Sequence, residues 1–285
     1  MEENVITSLQ NPRVKHVVAL QQKSALRRKE GLFVVEGQRE VEHCIASGYE
    51  VEEIWWKEES GKRKENTTEG QAGAADNSLS SFHIPLSSKK HLVTPQVYEK
   101  MAYRGSTEGI LAVVRTKNHG LDTLDAHLSS KKSPLIVVLE RVEKPGNLGA
   151  VLRSADAAAA DAVIVCDPLT DLYNPNLIRS SIGAVFTVPC AVCSSEACIA
   201  FLKERGIRIL TAQLQDSYDY YAYDMTQPTA IVMGTESTGL TDCWREAADA
   251  HIRIPMLGRL DSLNVSVSAA ILIYEAVRQR RIVKL

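Results

Sequence analysis

From Pro134 onward, continuous apolar runs recur at Leu135–Leu139, Ala162–Cys166, Ala184–Val188, Ile207–Thr211, Thr229–Met233 and His251–Ile254, with helix-compatible stretches between most of them. A strand that alternates apolar and polar residues has one wet face. A strand that is apolar throughout is buried on both, and a series of such strands alternating with helices makes a parallel sheet covered on either side. The expectation is a doubly wound α/β domain over residues 134–285. No internal repeat competes with that reading.

The preceding residues follow a different grammar. A basic, amphipathic stretch through Leu26 reads as helix, Leu32–Val35 as strand, Gly37–Ala46 as helix and Val51–Trp56 as strand. Gly61–Ser81 is polar and poor in aromatics, an insertion or loop outside any core. Strand-like order resumes at Phe82-His83-Ile84 and at Ile110–Val114. Residues 1–116 thus form a smaller α/β unit. Residues 117–133, rich in Lys, Ser and Asp, read as a linker with room for a short helix. A length of 285 residues accords with two domains.

With 33 basic and 35 acidic residues the formal charge is −2, so no global field attracts nucleic acid. One local patch stands out. Between Pro12 and Lys29 lie Arg13, Lys15, Lys23, Arg27, Arg28 and Lys29, with no acidic residue among them. Such a run is either a solvated helix face or a phosphate-binding surface. No apolar run is long enough for a bilayer span, and Met1-Glu2-Glu3-Asn4 lacks the character of a signal peptide, so a cytoplasmic protein without membrane contact is expected. The six cysteines are irregularly spaced and suggest no disulfide framework. Cys190, Cys193 and Cys198 make a C-x2-C-x4-C cluster that lacks a fourth ligand. These read as buried structural thiols, with no metal expected.

Doubly wound sheets bind ligands in the loops that leave the C-terminal ends of their strands. Three of those loops are unusual here. The first runs from Glu140 through Pro145-Gly146-Asn147-Leu148-Gly149 to Asp156, without the G-x-G-x-x-G pattern of dinucleotide sites. Its helix is expected to start near Gly149, which puts Arg153 in the first turn, where the helix dipole disfavours a cation. Arg153 is therefore a salt-bridge partner or a functional residue. The second, Gly234-Thr235-Glu236-Ser237-Thr238-Gly239-Leu240, places an acid between glycines directly after a strand. Glu236 either binds a ligand or is merely solvated, with Thr241 capping the next helix. The third, Ile254-Pro255-Met256-Leu257-Gly258-Arg259-Leu260-Asp261-Ser262-Leu263-Asn264, leads into a final helix from Val265 to about Arg280. Ser262 and Asn264 are N-cap types for it. Small residues at Ser266, Ser268, Ala269 and Ala270 let its backbone approach a neighbour.

Together the patterns P-G-N-L-G-A-x-x-R-x-A-D, M-G-x-E-x-x-G-L and I-P-M-x-G-x-x-x-S-L-N-V-S closely resemble the SpoU (TrmH-like) class of SPOUT RNA methyltransferases, from about Leu135 to Arg280. The resemblance implies a trefoil-knotted domain, a homodimer with active sites near the interface, and S-adenosylmethionine as cofactor. By motif position it assigns the cofactor to Thr211, Gly234, Ile254, Met256 and Leu263, and catalysis to Asn147, Arg153, Glu236, Ser262 and Asn264. Thr235 and Asp261 depart from the commoner Asn and Glu of the class. The N-terminal part is similar, on I-T-S-x-x-N-P-x-V-K at Ile6–Lys15 and F-V-V-E-G at Phe33–Gly37, to a ribosomal-protein-like RNA-binding unit, with Arg13, Lys15, Arg27 and Arg28 as its phosphate contacts.

The activity so implied is methyl transfer to a ribose 2′-hydroxyl of RNA, with ribosomal RNA favoured over transfer RNA. Base methylation is the alternative that S-L-N-V-S argues against. A catalytically idle RNA-binding protein is the alternative that Arg153, Glu236 and Asn264 argue against. A guanidinium stays protonated, so Arg153 suits a phosphate anchor and alkoxide stabiliser better than a base.

Overall fold

The structure, a computed structural model, describes residues 5–58, 87–103, 108–236 and 238–282. The Gly61–Ser81 stretch and the expected strand at Phe82–Ile84 lie outside these residues. The chain divides after Thr116 into two compact units.

In the first unit, Pro12 at the first helical position and the Asn11 side chain, which accepts from Arg13 N, start α1 (Pro12–Gln22). The expected single basic helix is in fact two. Lys23 is extended, and α2 (Ser24–Glu30) follows it and ends at Gly31 in the left-handed conformation. Then come β1 (Leu32–Glu36), α3 (Gln38–Ala46), β2 (Val51–Lys57), β3 (Lys89–Val93), α4 (Pro95–Met101) and β4 (Ile110–Arg115). The sheet order is β1-β4-β2-β3, with β4 antiparallel to both neighbours and β3 parallel to β2. Val14, Val17 and Leu20 of α1 and Val97, Tyr98 and Met101 of α4 bury one face against Val34, Trp55 and Leu111. Arg27 is turned inward, 3% exposed, and its Nη1 donates to the carbonyls of Leu20 and Gln21 at 2.6 and 2.9 Å. It closes the C-terminal end of α1, so its expected place among the phosphate contacts is corrected. Arg13, Lys15 and Arg28 remain exposed.

The second unit begins with α5 (Leu121–Leu128), in the segment read as a linker. Leu124 and Leu128 are buried in the core of the larger sheet, so residues 117–133 belong to this unit. The elements that follow are β5 (Leu135–Glu140), α6 (Pro145–Ala157), β6 (Ala162–Cys166), α7 (Pro175–Ser181), α8 (Ala184–Thr187), β7 (Cys190–Cys193), α9 (Ser195–Glu204), β8 (Arg208–Ala212), β9 (Tyr218–Asp219), β10 (Thr229–Met233), α10 (Asp242–Ala247), β11 (Ala250–Arg253) and α11 (Val265–Ile282). The run expected as a strand at Ala184–Val188 is the short buried helix α8. An apolar run of that length is equally a strand or a buried helical turn, and the strand lies beyond Pro189, at Cys190–Cys193.

The sheet order is β7-β6-β5-β10-β8-β11-β9, parallel throughout. β5, β6 and β10 are buried along their whole length. Ile136, Val138, Ile164, Ala230 and Val232 pack on one face against α5, α9 and the Trp244 of α10. The chain winds outward from β5 to β6 and β7, and returns to the far side with β8. β10 then inserts between β5 and β8. Loops leaving β5 and β10 therefore diverge at a topological switch point, where open α/β sheets bind ligands.

Candidate active site

Glu236 sits in the loop that leaves β10, and four donors converge on its carboxylate. Oε1 accepts from Asn264 Nδ2 at 2.6 Å, Asn147 Nδ2 at 3.0 Å and the Val265 N–H at 3.4 Å, while Oε2 accepts from Lys144 Nζ at 2.9 Å. Asn264 Nδ2 also donates to Asn147 Oδ1 at 3.2 Å. The first, second and third loops are thus joined through one carboxylate. The Lys144 hydrogen bond holds Glu236 below the ordinary carboxylate range, with help from the Val265 N–H and Asn147. The same bond pushes the Lys144 ammonium up. Both groups are charged at neutral pH.

The other oxygen of Asn264 has a separate task. Its Oδ1 accepts from Ser266 N at 3.0 Å and Ser266 Oγ at 2.6 Å, which makes Asn264 the N-cap of α11. Ser262 does not cap the helix. Its hydroxyl faces Asp261 Oδ1 at 3.3 Å. Thr241 occupies the N-cap position of α10, yet its hydroxyl and N–H both go to the buried carboxylate of Glu140, at 2.6 and 2.9 Å. Glu140, only 1% exposed at the end of β5, pins the far end of the β10 loop to the neighbouring strand.

A cavity of about 360 Å³ opens where the loops after β8, β10 and β11 meet. Gly234, Ile254, Met256 and Leu263, four of the motif positions, line it together with Glu236 and Ser262. Thr211 does not. It is fully buried and its hydroxyl is 2.6 Å from His251 Nδ1, whereas Ala212–Gln215 just after it form that wall. A second, smaller cavity of about 110 Å³ is lined by Val142, Glu143, Lys144 and Asn147 of the first loop. The two share Gly234, Thr235, Glu236 and Val265, so the carboxylate network forms the wall between them.

The larger cavity suits S-adenosylmethionine. Its volume is that of a small-molecule site, its walls mix Met233, Leu240, Ile252 and Leu272 with loop backbone, and two buried polar atoms on its lining lack hydrogen-bond partners among the described residues: Gln213 Oε1, an acceptor, and Arg245 Nε, a donor. Orphaned buried polar groups are costly unless a ligand satisfies them.

Arg153 is not brought to this network. α6 starts at Pro145, not near Gly149, so Arg153 lies in its third turn and not at its dipolar end. At 100° per residue, the six positions from Asn147 to Arg153 put the two on different faces of α6. Arg153 is exposed, and among the described residues its side chain makes no hydrogen bond or ion pair.

Lys144, Glu140, Gln213 and Arg245 were not singled out by motif reasoning. Only Lys144 left a trace in sequence, as the cation beside the Pro-Gly turn. Nothing in its spacing says that it faces Glu236, 92 positions away.

The SpoU rRNA Methylase family model matches residues 134–274, and an MRM3-like substrate binding domain matches residues 11–112. The 23S rRNA (guanosine-2′-O-)-methyltransferase of Vibrio parahaemolyticus is 37% identical over 190 residues, 66% of this chain and 77% of that protein. A solved RNA 2′-O ribose methyltransferase superposes with a TM-score of 0.78 at 35% identity, over 97% of this chain and 99% of the other. The SpoU methyltransferase AviRb from Streptomyces viridochromogenes, in complex with AdoMet, superposes with a TM-score of 0.81 at 27% identity, over 95% and 99% of the two chains.

Proposed function

This chain belongs to the SpoU rRNA methylase family, and from that membership we propose that it transfers the methyl group of S-adenosylmethionine to a ribose 2′-hydroxyl of ribosomal RNA. The observation that carries the reading is the pair of adjoining cavities with Glu236 in their common wall. The larger takes the cofactor, and the smaller takes the ribose. The family's trefoil knot is part of this reading and accounts for a cavity walled at once by the loop after β11 and by Ser268 and Leu272 of α11.

S-adenosylmethionine supplies an activated methyl group on a positively charged sulfur, so positioning carries much of the rate. Glu236 does not serve as the base: its pKa is depressed and Oε1 already accepts three hydrogen bonds. It orders Lys144, Asn147 and Asn264 around the ribose pocket. Lys144, protonated and at the rim, stabilises negative charge as it develops on the ribose oxygen. Arg153 anchors a neighbouring phosphate with its bidentate fork. Its place on a different face of α6 from Asn147, lining neither cavity, favours a site shared by two copies, in which one α6 serves the cavity of the other chain. The exposed Leu257, Leu260, Val267 and Tyr274 of the third loop and α11 offer an apolar surface for that pairing. The first unit holds RNA through Arg13, Lys15 and Arg28. Among the described residues no helix is long and apolar enough to cross a membrane.

The test is transfer of labelled methyl from S-adenosylmethionine to ribosomal RNA, followed by alkaline hydrolysis. A 2′-O-methyl group blocks the neighbouring phosphodiester from cleavage, so label must appear in alkali-resistant dinucleotides. Label released as a methylated base contradicts the proposal.

A further inference from the structure

Three thiols meet in the second unit and line neither cavity of the candidate active site. Cys166 ends β6, Cys193 ends β7, and Cys198 is the fourth residue of α9. Cys166 and Cys193 are lateral partners across the parallel β6–β7 pair, so their side chains leave the same face of the sheet. Cys198 comes down on that face from the covering helix. The three Sγ atoms all lie within 4.8 Å of one another, and all three cysteines are free. Cys190, which the sequence spacing grouped with Cys193 and Cys198, is not among them. The register of β7 against β6 puts Cys166 in its place.

We propose that Cys166, Cys193 and Cys198 form a three-sulfur site for a soft cation of low coordination number, with monovalent copper as the type ion. Thiolates select soft ions. Structural zinc takes four ligands, and among the described residues no fourth His, Cys or carboxylate joins the group. The nearest acid in sequence, Asp167, is engaged: its Oδ2 accepts from Ser195 N at 3.1 Å and Ser195 Oγ at 2.6 Å. With metal–sulfur bonds of about 2.3 Å, a trigonal ion separates its sulfurs by about 4 Å. The cluster therefore closes on such an ion with small side-chain shifts. Each ligating thiol releases its proton to solvent as its bond to the ion forms. The positive end of α9 offsets part of the resulting negative charge at Cys198. Cys193 is half-buried and opens the site to solvent, while Cys166 and Cys198 are buried. A bound ion ties together β6, β7 and α9, on the opposite side of β5 from the cofactor cavity.

The test is anaerobic titration of the reduced full-length chain with Cu(I) against a chromogenic Cu(I) chelator, for wild type and for Cys166→Ser, Cys193→Ser and Cys190→Ser. Circular dichroism checks the fold of each variant, and the half-buried Cys193 keeps the test usable if Cys166→Ser does not fold. One equivalent of copper held by wild type and Cys190→Ser, with affinity lower by on the order of 100-fold in the other two variants, is the expected result. A copper-dependent rise in Tm should follow the same pattern. Equal copper retention by all four proteins overturns the proposal. So does uptake of one Zn(II) by a protein that leaves Cu(I) with the chelator, or loss of the thiols to a disulfide with no copper bound.

Discussion

Asn264 Nδ2 lies 2.6 Å from Glu236 Oε1, while the Oδ1 of the same side chain caps α11 through Ser266 N. One amide therefore fastens the start of the last helix to the loop that leaves β10. The two ends of the amide separate the structural task from the catalytic one. Asp at this position keeps an N-cap acceptor but removes both donors and sets two carboxylates side by side. Asn264→Asp should retain the fold and lose turnover by on the order of 10²-fold. Single-turnover rates beside thermal melts measure both, and an undiminished rate removes Asn264 from the mechanism.

Arg153 gives a test of the shared site. Arg153→Ala should slow transfer by on the order of 10²–10³-fold with little change in cofactor affinity, since Arg153 lines neither cavity. Mixed and refolded with Glu236→Gln chains, it should regain activity, because in half of the sites of each mixed dimer Arg153 and Glu236 are both intact. Mixtures no more active than the parents would show that Arg153 does not act across two chains.

Glycine is demanded at two places by close backbone approach. A Cβ on Gly149 would overlap Ser180 Oγ and stand 2.8 Å from the Leu177 carbonyl, where α6 rides on α7. Gly149→Ala should cost about 1–3 kcal/mol, with partial recovery in the Ser180→Ala background. A Cβ on Gly234 would meet the backbone of Gly239 and stand 2.6 Å from Leu240 N. Gly234→Ala should therefore distort the loop itself, lowering cofactor affinity and Tm together. Calorimetric binding with unchanged affinity would contradict this.

The basic run of the first unit should divide by burial. Arg13→Ala and Lys15→Ala should weaken RNA binding and flatten its salt dependence by about one ion each. Arg27→Ala should leave that slope alone and lower stability by about 1–3 kcal/mol, because two backbone carbonyls lose a charged donor. A salt slope that changes with Arg27 would return it to the RNA surface.

Acid should loosen the second unit through His119. Its Nδ1 donates to the Cys190 carbonyl at 3.1 Å, which in the neutral ring leaves Nε2 to accept from Tyr173 Oη at 2.8 Å. Burial holds its pKa below the usual imidazole value. The unfolded chain takes up this proton near pH 6.5 and the folded chain only at lower pH. Stability is therefore fully present above about pH 6.5 and declines as pH falls below it. His119→Gln should shrink the loss of Tm between about pH 7.5 and 5.5. An identical acid dependence in the variant would assign the effect elsewhere.

Much of this was readable from local pattern. β6 and β10 occupy the apolar runs at Ala162–Cys166 and Thr229–Met233, and the three motif loops stand at strand ends. Burial on both faces writes a continuous apolar run into any strand, and close turns demand particular residues, so both survive in a one-dimensional reading. The same pattern left Ala184–Thr187 ambiguous, because a short apolar run does not distinguish a strand from a buried helical turn. Which groups meet was decided by strand order and register. Insertion of β10 beside β5 brings Glu236 to Lys144 and Asn147, 92 and 89 positions away. The pairing of β6 with β7 exchanges Cys190 for Cys166 in the thiol cluster. Arg27 turns inward because the break at Lys23 leaves the last carbonyls of α1 without helical donors, a need that appears only once the helix has ended. Sequence determines what each segment buries, and tertiary structure determines which unsatisfied polar group finds which partner.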